Sequence, residues 1–287
     1  MAHASNGHPG PARSKAQFIG IHSYRGGSGK TTFAASLAVL AARAGARVAV
    51  LDGDLQAPAL HVALGVGPKR ILHSLSEFVQ GQCEIHEVPI DLSRELGVEE
   101  PGRLHFLPSS TDLDVVTSIL LEGYDVARLN AELLRLAEHL EVDYLILDTH
   151  LGINRESLLS LAICDSVCVL FRPFGQDYEG AAVIARMARK VGAPACWLVP
   201  SMVAEKGADE LVARLEQEVG APVAGVLPWC ADLSEYAGPS FFTQRQDHPY
   251  ITGLERVFER LREAGKQALA KNAGDGEPRP ECTRCDA

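Results

Sequence analysis

The sequence predicts an α/β fold with a single doubly wound, mostly parallel sheet and helices on both of its faces. Two observations lead to this prediction. Short apolar runs recur along the chain, and stretches with helical periodicity separate them. Runs that are apolar at nearly every position are typical of parallel strands covered on both sides. No Pro-rich or Gly-rich linker interrupts residues 18–271, so we expect one domain.

The predicted strands are apolar runs, of which FIGIHS is the first and VAGVLP the last. They lie at residues 18–23, 47–52, 103–108, 143–148, 166–171, 195–200 and 223–228. Leucines at helical spacing, such as Leu129, Leu133 and Leu136, precede one of these strands. Right-handed crossovers then place helices over both faces of the sheet.

A final helix is predicted over about residues 249–271. Leu254, Val257, Phe258 and Leu261 form one apolar stripe along it. Its other face mixes acidic and basic residues, whereas helices that lie on membranes usually have a clean basic face. We therefore expect this helix to dock on the core, and we do not expect peripheral membrane contact.

Both ends of the chain lack a hydrophobic period. Residues 1–16 and 272–287 are polar and contain many glycines and prolines, so we predict disordered tails. The folded domain is then expected to span residues 17–271.

The charge balance excludes a general polyanion-binding protein. Lys and Arg number 27 and Asp and Glu number 37, which gives a net charge of −10. Nucleic acid could then bind only at a local patch. Arg186, Arg189 and Lys190 on one predicted helix are such a patch, and a solvated helix face is the alternative that we favour.

The sequence predicts a cytoplasmic protein. Its first residues have no apolar core of the secretory type, and no apolar run is long enough for a transmembrane segment. The chain has 7 cysteines, an odd number without a regular spacing, and some lie in predicted buried strands. A reducing compartment fits this pattern.

The strongest local signal is YRGGSGKTT at residues 24–32, between a predicted strand and a predicted helix. Glycines let the backbone approach an anion, and the amides at a helix start favour phosphate. Lys30 would add a charge toward the β and γ phosphates, and the Thr31 hydroxyl would bind Mg²⁺. A plain glycine-rich turn is the alternative, but it leaves Lys-Thr unexplained. The predicted nucleotide-binding residues are Gly26, Gly27, Ser28, Gly29, Lys30, Thr31 and Thr32.

This motif is a variant, because Tyr24 stands where the strict P-loop pattern requires glycine. RGGSGKTT resembles the deviant Walker A motif of the MinD/ParA family of P-loop ATPases. VLDGDLQAP at 50–58 resembles that family's D-x-D segment, and DYLILDTHLG at 143–152 resembles its Walker B strand and switch. The resemblance implies a P-loop NTPase fold with ATP and Mg²⁺ as cofactors.

Three acidic residues follow predicted strands and can share one crevice. Asp148 ends a buried strand, where a carboxylate can hold Mg²⁺. Asp52 and Asp54 end the neighbouring strand at the same edge of the sheet. The family resemblance implies that Asp54 orients the attacking water and that Asp52 belongs to the outer Mg²⁺ shell. Helix capping is the alternative for both residues.

Two residues depart from the family pattern. Arg25 replaces the signature lysine, which in the family reaches the phosphates of the other subunit in a homodimer. A guanidinium can grip phosphate oxygens with two hydrogen bonds, so a catalytic role is expected, with a solvent-facing loop residue as the alternative. His150 stands where the family has a small residue or proline. It could sense the γ-phosphate, although a local hydrogen bond is the interpretation that we favour.

The family's base-binding pattern matches less well. Pro200 and Ser201 occupy the place where the family usually has an adenine-reading asparagine. GVLPWCADL at 225–233 resembles the other base-flanking loop, so backbone groups near Pro228 are expected at the purine. The chain lacks an N-K-x-D guanine signature, which favours ATP over GTP.

The resemblance implies an ATP-dependent switch that forms a homodimer with ATP, hydrolyses it slowly, and positions an unidentified cargo with the help of an unidentified activator. One alternative is a Mrp-type carrier of metal or iron-sulfur clusters, since Cys282 and Cys285 form a C-x-x-C pair near the end of the chain. The other is a nucleotide-binding regulator with little hydrolysis.

Overall fold

The computed structural model describes residues 16–204, 207–234 and 247–275. Within these ranges the strands are β1 Gln17–His22, β2 Arg47–Gly53, β3 Ile90–Asp91, β4 Arg103–Leu107, β5 Tyr144–Thr149, β6 Ser166–Phe171 and β7 Ala195–Pro200. The α-helices are α1 Lys30–Arg43, α2 Leu60–Ala63, α3 Leu75–Val79, α4 Leu113–Glu122, α5 Val126–His139, α6 Arg155–Ala162, α7 Gly175–Lys190, α8 Ala208–Val219 and α9 Pro249–Asp275.

The strands form one sheet in the order β3-β4-β2-β5-β1-β6-β7. All neighbouring pairs are parallel except β3 and β4, which are antiparallel. From β1 near the centre, the chain first builds one half of the sheet, with β2 and β4. It then returns to the centre with β5 and builds the other half, with β6 and β7. This doubly wound sheet confirms the predicted fold class and brings the ends of β1, β2 and β5 together.

Buried apolar residues cover both faces of the sheet, as the fully buried strands require. One cluster joins the sheet to α1, α2 and α9. A second cluster joins the opposite face to α3, α5, α7 and α8. The predicted arrangement of helices on both faces is therefore confirmed.

The predicted strand at 223–228 is not a continuous strand. Its pairing with β7 and the residues after it is limited to two isolated bridges, from Val223 to Leu198 and from Pro228 to Val203, although the Leu227 N–H between them also donates to the Pro200 carbonyl at 2.9 Å. Two physical reasons explain this. Pro222 and Pro228 have no N–H to donate to a ladder. A Cβ on Gly225 would also lie 3.1 Å from the Gly253 carbonyl oxygen, so α9 packs directly on this backbone.

The last helix docks on the core as predicted. Leu254, Val257 and Leu261 are fully buried in the cluster that covers one face of the sheet. The helix continues to Asp275, so residues 272–275 are helical although the sequence analysis assigns them to the tail. The rest of the predicted tails, residues 1–15 and 276–287, lie outside the described residues. In the described ranges, none of the helices combines the length and apolarity needed to cross a bilayer.

We predict that Gly253→Ala destabilises the fold. A Cβ at this position would lie 2.6 Å from the Val226 carbonyl oxygen, which is backbone and cannot rotate away. The overlap should cost about 1–3 kcal/mol, partly offset by the better helix propensity of alanine. Urea unfolding measures the change. Glu255→Ala, on the exposed side of the same helix, is the control and should change stability by less than about 0.5 kcal/mol. Equal stability of the two variants would contradict the close contact.

Candidate nucleotide-binding site

The site lies where the carboxyl ends of β1, β2 and β5 meet. β5 pairs with both of the other strands, and Asp52 of β2 is directly opposite Asp148 of β5. The glycine-rich loop connects β1 to α1, so it crosses the same edge of the sheet. In open α/β sheets this edge is the usual place for a ligand.

The glycine-rich loop has the backbone conformation that its glycines allow. Gly27 and Gly29 have φ values of 79° and 84°, in the left-handed region that other residues avoid. A Cβ built on either residue would have no heavy atom within 4 Å, so the space beside the loop is open. Gly29 is the last residue before α1, and its carbonyl accepts the Phe33 N–H at 2.8 Å. The free amides of the first turn of α1 therefore border the open space beside Gly27 and Gly29, which we call the cradle, and such amides favour an anion.

Lys30 and Asp148 form a buried ion pair in this cradle. The Lys30 Nζ lies 2.5 Å from the Asp148 Oδ1, and the side chains are only 10% and 1% exposed. Burial raises the pKa of the Asp148 carboxyl, while the Lys30 charge and a hydrogen bond from Thr31 act in the opposite direction. The structure thus brings together Lys30, Thr31 and Asp148, as the sequence predicts.

Asp52 lies beside this pair, and only one of its two carboxylate oxygens has a hydrogen-bond partner among the described residues. Its Oδ2 accepts the Leu60 N–H at 2.8 Å. Its Oδ1 is buried and has no hydrogen-bond partner among the described residues. Burial, with the nearby Asp148 charge, raises the pKa of Asp52 to about 7. Two carboxylates side by side with one unused oxygen are a set of hard ligands that a divalent cation would stabilise.

Asp54 lies at the mouth of the same crevice. Its Oδ1 accepts the Ala57 N–H at 3.1 Å, so it also has the local capping role that the sequence leaves open. The His150 Nε2 lies 3.7 Å from this oxygen. The other ring nitrogen of His150 lies 3.0 Å from the Asn154 side-chain nitrogen. His150 therefore makes the local contacts that we favour, and it makes them next to the predicted water-positioning carboxylate.

The remaining predicted residues surround the loop. Arg25 and Thr32 are exposed, and Ser28 is buried with its hydroxyl unpartnered among the described residues. The Ser28 carbonyl accepts the Ser201 hydroxyl at 2.8 Å, so Ser201 braces the loop. Pro228 is half-buried beside the residues that follow β7.

The sequence analysis missed His22, which joins β1 to the segment after β5. Burial and the Lys30 charge lower its pKa to about 4, so the ring is neutral near pH 7. Nε2 lies 2.9 Å from the Gly152 carbonyl oxygen and must carry the proton, because a carbonyl only accepts. Nδ1, which then carries no proton, lies 2.6 Å from the Thr149 Oγ1, and the Ile21 carbonyl oxygen lies 2.9 Å from the same Oγ1, so the two acceptors share the single hydroxyl proton. The sequence did offer one indication of its role, because His22 is a polar residue at the end of a buried and mostly apolar strand.

A second missed contact involves Tyr24, the residue that breaks the strict motif. A Cβ on Gly180 of α7 would lie 2.3 Å from the Tyr24 ring, so the ring packs directly on the helix backbone. A side chain at residue 180 would collide with the loop. This contact fixes the start of the phosphate loop against α7, and only the tertiary structure reveals it.

Comparison with known proteins identifies the family of this chain. Residues 19–238 match the family described as the CobQ/CobB/MinD/ParA nucleotide binding domain. The chain therefore belongs to the MinD/ParA family of nucleotide-binding P-loop proteins, whose members are in general ATPases.

Three similar proteins illustrate the relationship. An uncharacterized ATP-binding protein of Methanocaldococcus jannaschii is 28% identical over 255 residues, which are 88% of this chain and 90% of that protein. The MinD cell division protein of Aquifex aeolicus has a TM-score of 0.72 at 18% identity, covering 86% of this chain and 97% of that one. MinD of Pyrococcus horikoshii, solved with Mg-ADP, has a TM-score of 0.69 at 18% identity, covering 90% and 98%.

We predict a pH-dependent effect of Asp52→Asn in metal-free buffer. The pKa of Asp52 is about 7 in the native protein and 3.8 in the unfolded chain. The native state therefore binds this proton more tightly, and the stability that the protonated Asp52 contributes is lost as pH rises from about 4 to about 7. Asparagine does not titrate, so the variant does not lose this stability as pH rises. The unfolding free energy of the variant relative to the parent should therefore rise from pH 4 to pH 8, by about 4 kcal/mol at most.

Urea unfolding at several pH values measures this difference. Asp209→Asn, an exposed acid on α8, is the matched control and should show little dependence. A stability difference for Asp52→Asn that stays flat or falls with pH would mean that the native carboxyl is not held protonated.

Proposed function

We propose that this protein is an ATP-driven dimerising switch that hydrolyses ATP to ADP and phosphate and positions an intracellular cargo. The observation that carries the proposal is the convergence of Lys30, Asp148, Asp52 and Asp54 on the open cradle of the glycine-rich loop. A plain structural turn has no need of this many charged groups beside it. Burying charged groups is unfavourable unless each is paired, and Asp52 keeps an oxygen without a partner among the described residues beside the Lys30–Asp148 pair.

The residues present fit a magnesium nucleotide. The cradle beside Gly27 and Gly29 is open, as close approach of a phosphate requires. Thr31 and Asp148 would hold Mg²⁺, with Asp52 as an outer partner through its unused Oδ1. The bound cation would neutralise charge that develops on the phosphates. A phosphate group would also give Lys30 a second anionic partner beside Asp148.

The chain's own residues then divide the work of hydrolysis. Lys30 holds the β and γ phosphates, and the amides of residues 26–32 orient them. Asp54 accepts a hydrogen bond from the attacking water and so aligns it with the γ-phosphate. Arg25 is exposed on the loop and makes no hydrogen bond or ion pair with the described residues, so its guanidinium is available to a second subunit. Backbone groups near Pro228 would contact the purine.

Apolar residues on the segment after β5 support dimer formation. Leu151 and Ile153 are 41% and 44% exposed, and the side chain of Leu151 lies close to Gly26 of the loop. His22 fixes this segment through Thr149 and Gly152, so it is a shaped surface next to the phosphates. Closing two subunits over ATP would cover these side chains, and opening after hydrolysis would expose them again.

Proteins of similar fold support cargo positioning as the proposed role. Structures of similar fold include the cell division protein MinD of Aquifex aeolicus. The activator and cargo are proposed as proteins of the cytoplasm. We do not propose nucleic acid as a partner, because the net charge of −10 does not favour a polyanion. Cys282 and Cys285, the basis of the carrier alternative, lie outside the described residues.

We predict that Lys30→Ala abolishes ATP binding. The variant loses the point charge that the phosphates need, and the expected loss of affinity is about 100-fold or more. Isothermal titration with Mg-ATP measures it, and urea unfolding checks that the fold survives the loss of the Asp148 partner. Lys190→Ala, an exposed lysine on α7, is the control. Parent affinity in folded Lys30→Ala would refute the assigned site.

We predict that Asp54→Ala binds ATP and dimerises but does not hydrolyse it. Without the carboxylate the attacking water is not oriented, so turnover should fall by about 100-fold or more. A phosphate-release assay measures turnover, and light scattering with ATP measures the dimer. Asp114→Ala, an exposed acid on α4, is the control. Hydrolysis at the parent rate, or failure to dimerise with ATP, would show that Asp54 has another role.

A further inference from the structure

Three potential metal ligands meet on the side of the molecule where α9 begins. Cys230 and Asp232 follow Pro228, and Asp232 lies in the 3₁₀ turn Ala231–Ser234. His248 is the residue immediately before α9. One ligand atom from each of the three side chains lies within 4.8 Å of the other two. Cys230 and Asp232 lie in the segment 225–233 that resembles the family's base-flanking loop, but the side chains of the three residues have no role in the nucleotide site described above.

The imidazole of His248 lies between the other two groups, so an ion would bind one of its ring nitrogens and draw the other two ligands toward it. The His248 Nε2 lies 3.2 Å from both Asp232 oxygens, and the Cys230 Sγ lies 4.0 Å from the His248 Nδ1. Charge-assisted hydrogen bonds are shorter, about 2.7–2.9 Å. Ligand atoms around a tetrahedral zinc ion stand about 3.3–3.7 Å apart, as follows from bond lengths of about 2.0–2.3 Å. With one nitrogen of His248 as the ligand, the three ligand atoms lie within 4.8 Å of one another, so the farthest pair must approach by up to about 1 Å to close on a cation.

The backbone at this cluster is already ordered by other contacts. The His248 carbonyl accepts the Ile251 N–H at 2.8 Å and the Thr252 N–H at 3.2 Å in the first turn of α9. The His248 side chain is only 5% exposed, and that of Asp232 is 31% exposed. A nearly buried imidazole beside a half-exposed carboxylate and a half-buried thiol gives a site with an entry path from solvent.

The donor set selects the kind of metal. A thiolate, an imidazole and a carboxylate suit a borderline-soft divalent ion such as Zn²⁺. Mg²⁺ prefers oxygen ligands alone, so the same cation would not serve this cluster and the nucleotide site. Three protein ligands leave the fourth tetrahedral position to water or to another ligand.

We propose that Cys230, Asp232 and His248 bind Zn²⁺. Binding releases the thiol proton of Cys230. If Nε2 of His248 is the ligand, its proton moves to Nδ1, and if Nδ1 is the ligand, Nε2 keeps its proton; in either case the Tyr250 N–H loses Nδ1 as an acceptor. The ion joins the segment after Pro228 to the start of α9, with Asp232 and His248 16 residues apart in sequence. This zinc site does not depend on the proposed ATPase activity, so either proposal can fail alone.

The test uses the full chain with Cys282→Ser and Cys285→Ser, because this C-x-x-C pair could bind zinc by itself. Zinc affinity is measured by competition with a chromophoric chelator in buffer that contains Mg²⁺. We expect one zinc per chain in this background. Adding Cys230→Ser, Asp232→Asn or His248→Ala should each lower the affinity, by about 100-fold or more for the thiolate. Cobalt in place of zinc should show a thiolate-to-metal charge-transfer band that Cys230→Ser removes.

Cys196→Ser is the matched control, since it removes another half-buried thiol, on β7. It should leave zinc affinity and the cobalt band unchanged. Circular dichroism checks each variant, and Asp232→Asn, which preserves side-chain shape, tests the site even where Cys230→Ser unfolds. The proposal is overturned if the background protein binds no zinc, if the three ligand variants bind it as tightly as the background, or if the cobalt complex lacks the thiolate band.

Discussion

The buried pair of Lys30 and Asp148 is the interaction on which the rest of the site depends. Asp148 and Asp52 are held side by side by the register of β2 and β5, and both are removed from water. Such carboxylates repel one another and lose hydration, so they need a cation close by. The Lys30 ammonium at 2.5 Å supplies one, and it also brings the glycine-rich loop down onto the sheet.

This balance makes the site responsive to a ligand. Asp52 keeps an oxygen without a partner among the described residues, and its raised pKa near 7 shows that a second negative charge is only marginally tolerated. A divalent ion with a phosphate group would supply one more cation for the acids and an anion for the lysine. The same unfavourable electrostatics that would weaken a purely structural core would therefore favour binding here.

Three contacts from outside the motif hold the loop in place. Ser201 bonds to the Ser28 carbonyl, Tyr24 packs on the backbone of Gly180, and His22 connects β1 to Gly152. Each contact joins the loop or its strand to a different neighbour. His22 thus connects the segment after β5 to the end of β1, where the phosphate loop begins.

The sequence by itself determined the fold class, the glycine-rich loop and the acids at strand ends, because these depend on local patterns: apolar runs, glycines before Lys-Thr, and carboxylates that follow strands. It failed where distant residues must meet. The sequence placed Asp52 and Asp148 on neighbouring strands, but only the packed structure decided the register that sets them opposite each other. Only the packed structure showed that 223–228 lacks a continuous ladder where α9 packs on it, and that the His22 ring bonds to Gly152. The same holds for Cys230 and His248, whose proximity is set by where α9 begins on the sheet. Register and helix docking result from the summed packing of the whole core, and no short stretch of sequence encodes them.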